Sequence, residues 1–273
     1  MVARDPHRFS NELDETAVER IAARLESRAQ DDVFARLLDQ YVAKLTLPPN
    51  ARVLEVGCGT GAVLRSLARR SDFTGTAIGV DQCRPFIDIA HTLAQAEGVD
   101  DRLAFQVGDA HKLDFPSESF DITIAHTLIS HVTAPIAVLS EMARLVRPGG
   151  IVVVFDGDYA SLTYAYRDHS FGQRMDAALA NSTFNNPRIM RDLPRLLPGL
   201  GLELDEAWGE AVVEIGHASY FKSFAETYVP YVKKSGMLPE QSIEAWHREQ
   251  RQAMENGTFF AACNYYTYLA RRV

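Results

Sequence analysis

Apolar residues recur along this chain with two different periods. From Asp14 to about Gln30, Val18, Ile21, Ala22 and Leu25 fall three or four apart; from Asp31 to Leu45, Val33, Phe34, Leu37, Leu38, Tyr41 and Val42 do the same. That spacing predicts two amphipathic helices, the second capped by Asp31 or Asp32 and ended by Pro48-Pro49-Asn50. Beyond residue 51 the runs shorten. Residues 52–56, 76–80, 103–107, 120–125 and 151–155 are apolar and rich in β-branched side chains, the pattern of strands covered on both faces. Helical patterns at 62–70, 85–97 and 135–146 separate most of them; the last two begin with proline in the first turn and stop at Gly98 and at Pro148-Gly149-Gly150. Alternating strands and helices with short connections predict an α/β fold: a parallel, doubly wound, Rossmann-like sheet with helices on both faces.

After Asp158 the pattern loosens into a region rich in Tyr, Phe and His. Residues 188–197 read as a helix, 202–215 as a strand region, 221–255 as mainly helical with breaks at Pro230 and Gly236, and 258–271 as an aromatic strand. The expected organisation is a helical lid over 1–50, a core over 51–157, and a remainder over 158–273 with helical insertions that build the substrate pocket. Together they make one structural domain.

Composition narrows the function. An apolar content of 47% over 273 residues supports a sizeable core. The net charge of −8 argues against a phosphate-backbone partner, so no nucleic-acid substrate is expected. Cys58, Cys83 and Cys263 offer neither a disulfide framework nor thiolate metal spacing. The first ten residues, MVARDPHRFS, lack an apolar signal segment, and no apolar run approaches the ~20 residues that cross a bilayer. A cytoplasmic protein, monomer or homodimer, with no membrane partner is expected.

The candidate chemistry lies at strand ends. The first strand runs into VLEVGCGTG at 53–61, where Gly57, Gly59 and Gly61 bring bare backbone and a helix N-terminus up to a ligand. Gly57, Gly59 and Ala62 also satisfy the dinucleotide fingerprint, which keeps a nicotinamide oxidoreductase open as an alternative. Glu55, two residues ahead of the first glycine, would repel a pyrophosphate but suits an ammonium. Asp81, at the second strand's end, can accept from both hydroxyls of an adenosine ribose in either kind of cofactor. Asp109, followed by the small Ala110, can take an adenine amino group.

Together the blocks VLEVGCGTG (53–61), IGVD (78–81), VGDA (107–110), FDITIAH (120–126), SHV (130–132) and EMARLVRPGG (141–150) resemble the class I S-adenosylmethionine (SAM) dependent methyltransferases. In particular they resemble the small-molecule branch that includes the ubiquinone/menaquinone C-methyltransferases. The resemblance implies a seven-stranded sheet whose last strand runs antiparallel. It implies that the loop 57–61, with Cys58, holds the methionine part of SAM, Asp81 the ribose, Gln82 one edge of the adenine pocket, and Asp109 and Ala110 the adenine. His126 is expected to face the methionine or the methyl group, and Arg28, on helices that close over the cofactor in related enzymes, to pair with the SAM carboxylate.

The implied activity is methyl transfer to O, C or N of a small apolar or aromatic molecule, leaving S-adenosylhomocysteine. His126 and His217 are the candidate bases. His131 reads as a packed or capping residue, and Asp156 and Asp158 as a polar loop, with no metal expected because no carboxylate partners His126. Tyr159, Tyr164, Tyr166, His169, His217, Tyr220, Tyr228 and Tyr231 lie in segments expected to wall the acceptor pocket, most of them as packing residues. Glu55, the Gly108-Asp109-Ala110 turn and the lack of a Tyr-x-x-x-Lys pair weigh against the oxidoreductase. A non-catalytic SAM-binding partner subunit is the other alternative.

Overall fold

A computed structural model describes residues 15–273; the decapeptide at the start and the expected helix start at Asp14 lie outside the described residues. The helices α1 (Glu15–Gln30) and α2 (Asp32–Lys44) precede the sheet. The side chain of Asp31 caps α2 by accepting from the Val33 and Phe34 N–H groups. Strands β1 (Arg52–Val56), β2 (Thr76–Asp81), β3 (Leu103–Val107) and β4 (Phe120–His126) alternate with α3 (Ala62–Ala68), α4 (Arg84–Ala96) and α5 (Pro135–Leu145). Then come β5 (Val146–Tyr164), α6 (His169–Thr183), α7 (Ile189–Leu196), β6 (Leu202–Gly216), α8 (Tyr220–Ser235), α9 (Glu240–Glu255) and β7 (Phe259–Arg272).

The seven strands run in the order β3-β2-β1-β4-β5-β7-β6. Strands β1 to β5 pair in parallel, and β7 is antiparallel to both β5 and β6. The chain winds outward from β1 in one direction and from β4 in the other, so a crevice opens between their carboxyl ends, where doubly wound sheets bind ligands. Successive strand residues face opposite layers: Val53, Ile122 and Val153 pack with α3 and α4, while Leu54, Val152 and Val154 pack with α5 and α7. Helix α1 buries Val18, Ile21 and Ala22 on Cys83 and Phe86 at the start of α4. This lays α1 near the carboxyl edge of the sheet.

Three expectations change. Strand β5 runs on to Tyr164, because β7 continues to pair with it through Ala261 and Ala262. Helix α6 has no counterpart in the sequence reading: besides Met175 and Leu179 its buried face is made of Gly172, Ala178, Ala180, Ser182 and Thr183, too small and polar to mark a stripe. Pro230 does not break α8. Buried Tyr228, Val229 and Val232 flank it and hold the helix in place, whereas Gly236 ends the helix in the left-handed conformation at φ 68°.

Candidate cofactor and acceptor site

The turn after β1 is drawn tight by its own backbone. The N–H groups of Gly57 and Cys58 both donate to the Val80 carbonyl, at 2.7 and 3.0 Å. Gly57 has φ 69°, and a Cβ there would lie 2.5 Å from Leu128 Cδ1. Asp81 fastens the turn from the side: one carboxylate oxygen accepts from Gly59 N–H at 2.9 Å and the other from Cys83 N–H at 2.8 Å. Burial pushes its carboxyl up, and these backbone donors hold it back. Asp81 therefore anchors the loop, a role beyond the expected ribose contact.

Glu55, on β1 beside the loop, is 2% exposed, and its Oε2 has no hydrogen-bond partner among the described residues. Burial, then the nearby Asp81, pushes its carboxyl well above the usual carboxylate range, opposed by Arg28 and Arg65. A buried carboxylate oxygen without a donor is expensive unless a cation completes it. Cys58 is a neutral thiol here, pushed well up by burial and by Asp81 and Glu55.

A cavity of ≈ 380 Å³ opens over this turn. Arg28, Glu55, Gly57, Cys58, Gly59 and Asp81 line it, as do Gln82, Asp109, Ala110 and His126, so the structure brings ten of the candidate positions together. Asp109 lies at the mouth with its side chain 68% exposed, and its Oδ1 accepts from the N–H and ring Nδ1 of His111. Arg28 Nη2 donates to Thr127 Oγ1 at 2.8 Å. Thr127 is held at φ 54°, an unusual conformation for a β-branched residue, at the carboxyl end of β4.

Gly61 and His217 do not reach the cavity. Gly61 caps α3 at φ 79°, and a Cβ there would press into the Phe105 ring at 2.6 Å, so its missing side chain serves helix–sheet packing. His217 is exposed in the turn between β6 and α8, because Gly216 at φ 80° turns the chain away at the outer edge of the sheet. His126 does face the cavity, with its ring against Phe155 at 4.5 Å and its Nδ1 2.9 Å from the Tyr41 hydroxyl. Burial, reinforced by Arg28, pulls its pKa well below the ordinary histidine value, which makes it a weak base.

His131, expected as a packed residue, and Arg24, which the sequence reading did not single out, also line the cavity. His131, 8% exposed, lines the cavity and packs against Phe184 at 4.9 Å. Behind it Asp156 is fully buried and accepts from the Ser130 and Gly157 N–H groups at 2.9 and 2.8 Å. Burial pushes the Asp156 carboxyl up, and His131 is the strongest influence holding it down. The sequence signal was the adjacency of two strand ends: β4 and β5 are paired as far as His126 and Phe155, so the residues just beyond them converge. Asp158 is instead ion-paired with Arg191 at 2.8 Å.

Residues 54–154 match the family model described as a methyltransferase domain. That stretch carries a methyltransferase domain. This domain spans β1 to the middle of β5 and supplies most of the cofactor half of the cavity. The stretch resembles the 27-O-demethylrifamycin SV methyltransferase of Amycolatopsis mediterranei, 31% identical over 48% of this chain and 47% of that protein. The aligned part thus covers less than half of that relative. A 37.1 kDa protein in transposon TN4556 of Streptomyces fradiae is 25% identical over 99% of this chain and 78% of that one. The structure of a geranyl diphosphate methyltransferase in complex with SAM superposes with a TM-score of 0.57 at 17% identity, over 95% of this chain and 92% of that one. The chain therefore shares its fold with that SAM-bound enzyme.

Proposed function

We propose that the protein transfers a methyl group from SAM to O, C or N of a small apolar or aromatic acceptor. The observation that carries this reading is the buried Glu55 oxygen, without a hydrogen-bond partner among the described residues, beside a turn in which Gly57 and Gly59 carry no side chain. Glu55 would hold the cofactor's ammonium, Arg28 its carboxylate, Asp81 the ribose hydroxyls, and Gln82, Asp109 and Ala110 the adenine. Bound there, SAM supplies a methyl group on a positively charged sulfur. A nicotinamide cofactor fits poorly, since its pyrophosphate would lie against Glu55.

The protein's own part in the reaction is to exclude water, to orient the acceptor and to move a proton. Tyr159 stacks on Phe184 with centroids 3.4 Å apart, and Tyr228 closes the same wall at 5.9 Å from Phe184. These rings suit a planar or apolar body and keep the site dry. For a hydroxyl or enol acceptor we assign the base to His131, oriented by Asp156, and leave the weakly basic His126 as a shape and hydrogen-bonding group. Among the described residues no helix is long and apolar enough to cross a membrane, and the net charge of −8 fits an acceptor other than nucleic acid. We place the enzyme in the cytoplasm as a monomer or homodimer.

Calorimetry on ligand-stripped protein tests the reading: SAM and S-adenosylhomocysteine should bind and NADH should not. Uptake of NADH alone would reverse it. With labelled SAM and an acceptor panel, His131→Ala should lower turnover by roughly 10²- to 10⁴-fold while leaving S-adenosylhomocysteine affinity intact. Full turnover in that variant would remove His131 from the chemistry.

A further inference from the structure

Arg24 and Arg28 stand one turn apart on α1, and both line the cavity, yet their surroundings differ. Arg28 acts on Glu55 and His126 and donates to Thr127, so it belongs to the cofactor end. Arg24 sits in an aromatic cage at the other end, its guanidinium carbon 4.8 Å from the Tyr228 centroid, 5.6 Å from Phe224 and 5.8 Å from Tyr220. Nη1 donates to the Tyr228 hydroxyl at 2.8 Å. Among the described residues no carboxylate pairs with Arg24, and its Nε is buried without a partner. The neighbouring Glu26 is held by Arg65 at 2.6 Å.

A guanidinium brought into an apolar pocket needs compensation, and ring faces supply only part of it. Five N–H donors arranged as a planar fork are completed best by a compact anion. We propose that Arg24 is an anion subsite in the acceptor half of the cavity, and that the methyl acceptor carries a carboxylate received there. With Arg28 assigned to the cofactor end, Arg24 is the one guanidinium left for the acceptor half among the described residues that line the cavity, and it matches one negative charge better than a diphosphate. The rings of Tyr228 and Phe184 would flank the body to which the carboxylate is attached. This inference deepens the methyltransferase reading and rests on it for the division of the cavity.

The test uses matched probes: 4-hydroxybenzoate against 4-hydroxybenzamide, 4-hydroxycinnamate against its amide, and octanoate against octanamide. Each pair is titrated calorimetrically into ligand-free and S-adenosylhomocysteine-loaded protein, after S-adenosylhomocysteine has been titrated alone. At least one carboxylate should bind roughly tenfold tighter than its amide. Arg24→Gln should abolish that preference and Arg24→Lys restore part of it, with S-adenosylhomocysteine affinity unchanged in both. Equal binding within every pair in the wild-type protein would overturn the proposal, as would a preference that survives Arg24→Gln. A loss of S-adenosylhomocysteine affinity in Arg24→Gln would also overturn it, by showing that Arg24 reads the cofactor's own carboxylate. If Arg24→Gln does not fold, the wild-type pairs and Arg24→Lys decide. Failure of S-adenosylhomocysteine to bind while the carboxylate preference holds would sink the cofactor reading and leave the anion subsite standing.

Discussion

Glu55 and Asp81 carry the same functional group into the same cavity, and their surroundings give them opposite tasks. Asp81 has a backbone N–H on each oxygen, so its charge is satisfied by the fold and it holds the glycine turn whether or not a ligand is present. Glu55 has an oxygen with no donor, so its charge is satisfied only by what the cavity receives. A carboxyl raised in the folded protein keeps a proton that the unfolded chain has released, so stability falls as pH rises above the unfolded carboxyl value of about 4, until the folded carboxyl itself ionises. Glu55→Gln should therefore raise the melting temperature of ligand-free protein at pH 8, with little effect near pH 4, while weakening SAM binding at least roughly tenfold. Thermal unfolding at both pH values and calorimetry of SAM check the two signs. Undiminished SAM affinity in the variant would remove Glu55 from the ammonium site.

Elements differ in how openly the sequence announces them. Strands β1 and β4 were legible because burial on both faces leaves a continuous apolar run. The continuation of β5 was not, because Asp156 and Asp158 interrupt it. Their polarity is absorbed by Ser130, Gly157 and Arg191, partners that only the folded chain brings near. The site divides along the same line. The candidate cofactor positions from Glu55 to His126 sit at or near strand ends, where spacing marks them, while Arg28, His131, Arg24 and the exposure of His217 depend on which loops and helices fold over the crevice. Helix α6, hidden by its small buried residues, carries a further test. Asp176 on α6 accepts from the Tyr164 N–H of β5 at 3.2 Å, and burial raises its pKa to about 7. Its folded value lies above its unfolded one, so the stability it takes away grows as pH rises from about 4 to about 7 and is constant above. Asp176→Asn keeps an acceptor for Tyr164 and removes the charge. It should raise the melting temperature by a few degrees at pH 8 and hardly at all at pH 4; equal shifts at both would show that Asp176 is not held with a raised pKa.

At the scale of the whole molecule the cavity is a seam between two sources of order. The loops after β1 to β4 belong to a sheet whose central strands β1 and β4 are buried on both sides. The roof, α1, is tied down chiefly by Val18, Ile21 and Ala22 on the start of α4, by the contact of Leu25 with the glycine turn, and by its arginines. So little buried apolar surface makes local opening of α1 less costly than unfolding of the sheet. We propose that α1 acts as a lid whose closure the cofactor completes. A ligand that binds only the closed form adds its binding energy to the lid's stability, about 2.7 kcal/mol at a hundred times its Kd. Amide hydrogen exchange with S-adenosylhomocysteine should then slow across Glu15–Gln30 and residues 57–61, by roughly the hundredfold to which that energy corresponds, where local opening governs exchange. Strand β6, at the far edge of the sheet, should be unaffected in its locally fraying amides. A rise in melting temperature without protection of α1 would mean that the cofactor binds beneath a roof already closed, and would assign gating to some other element.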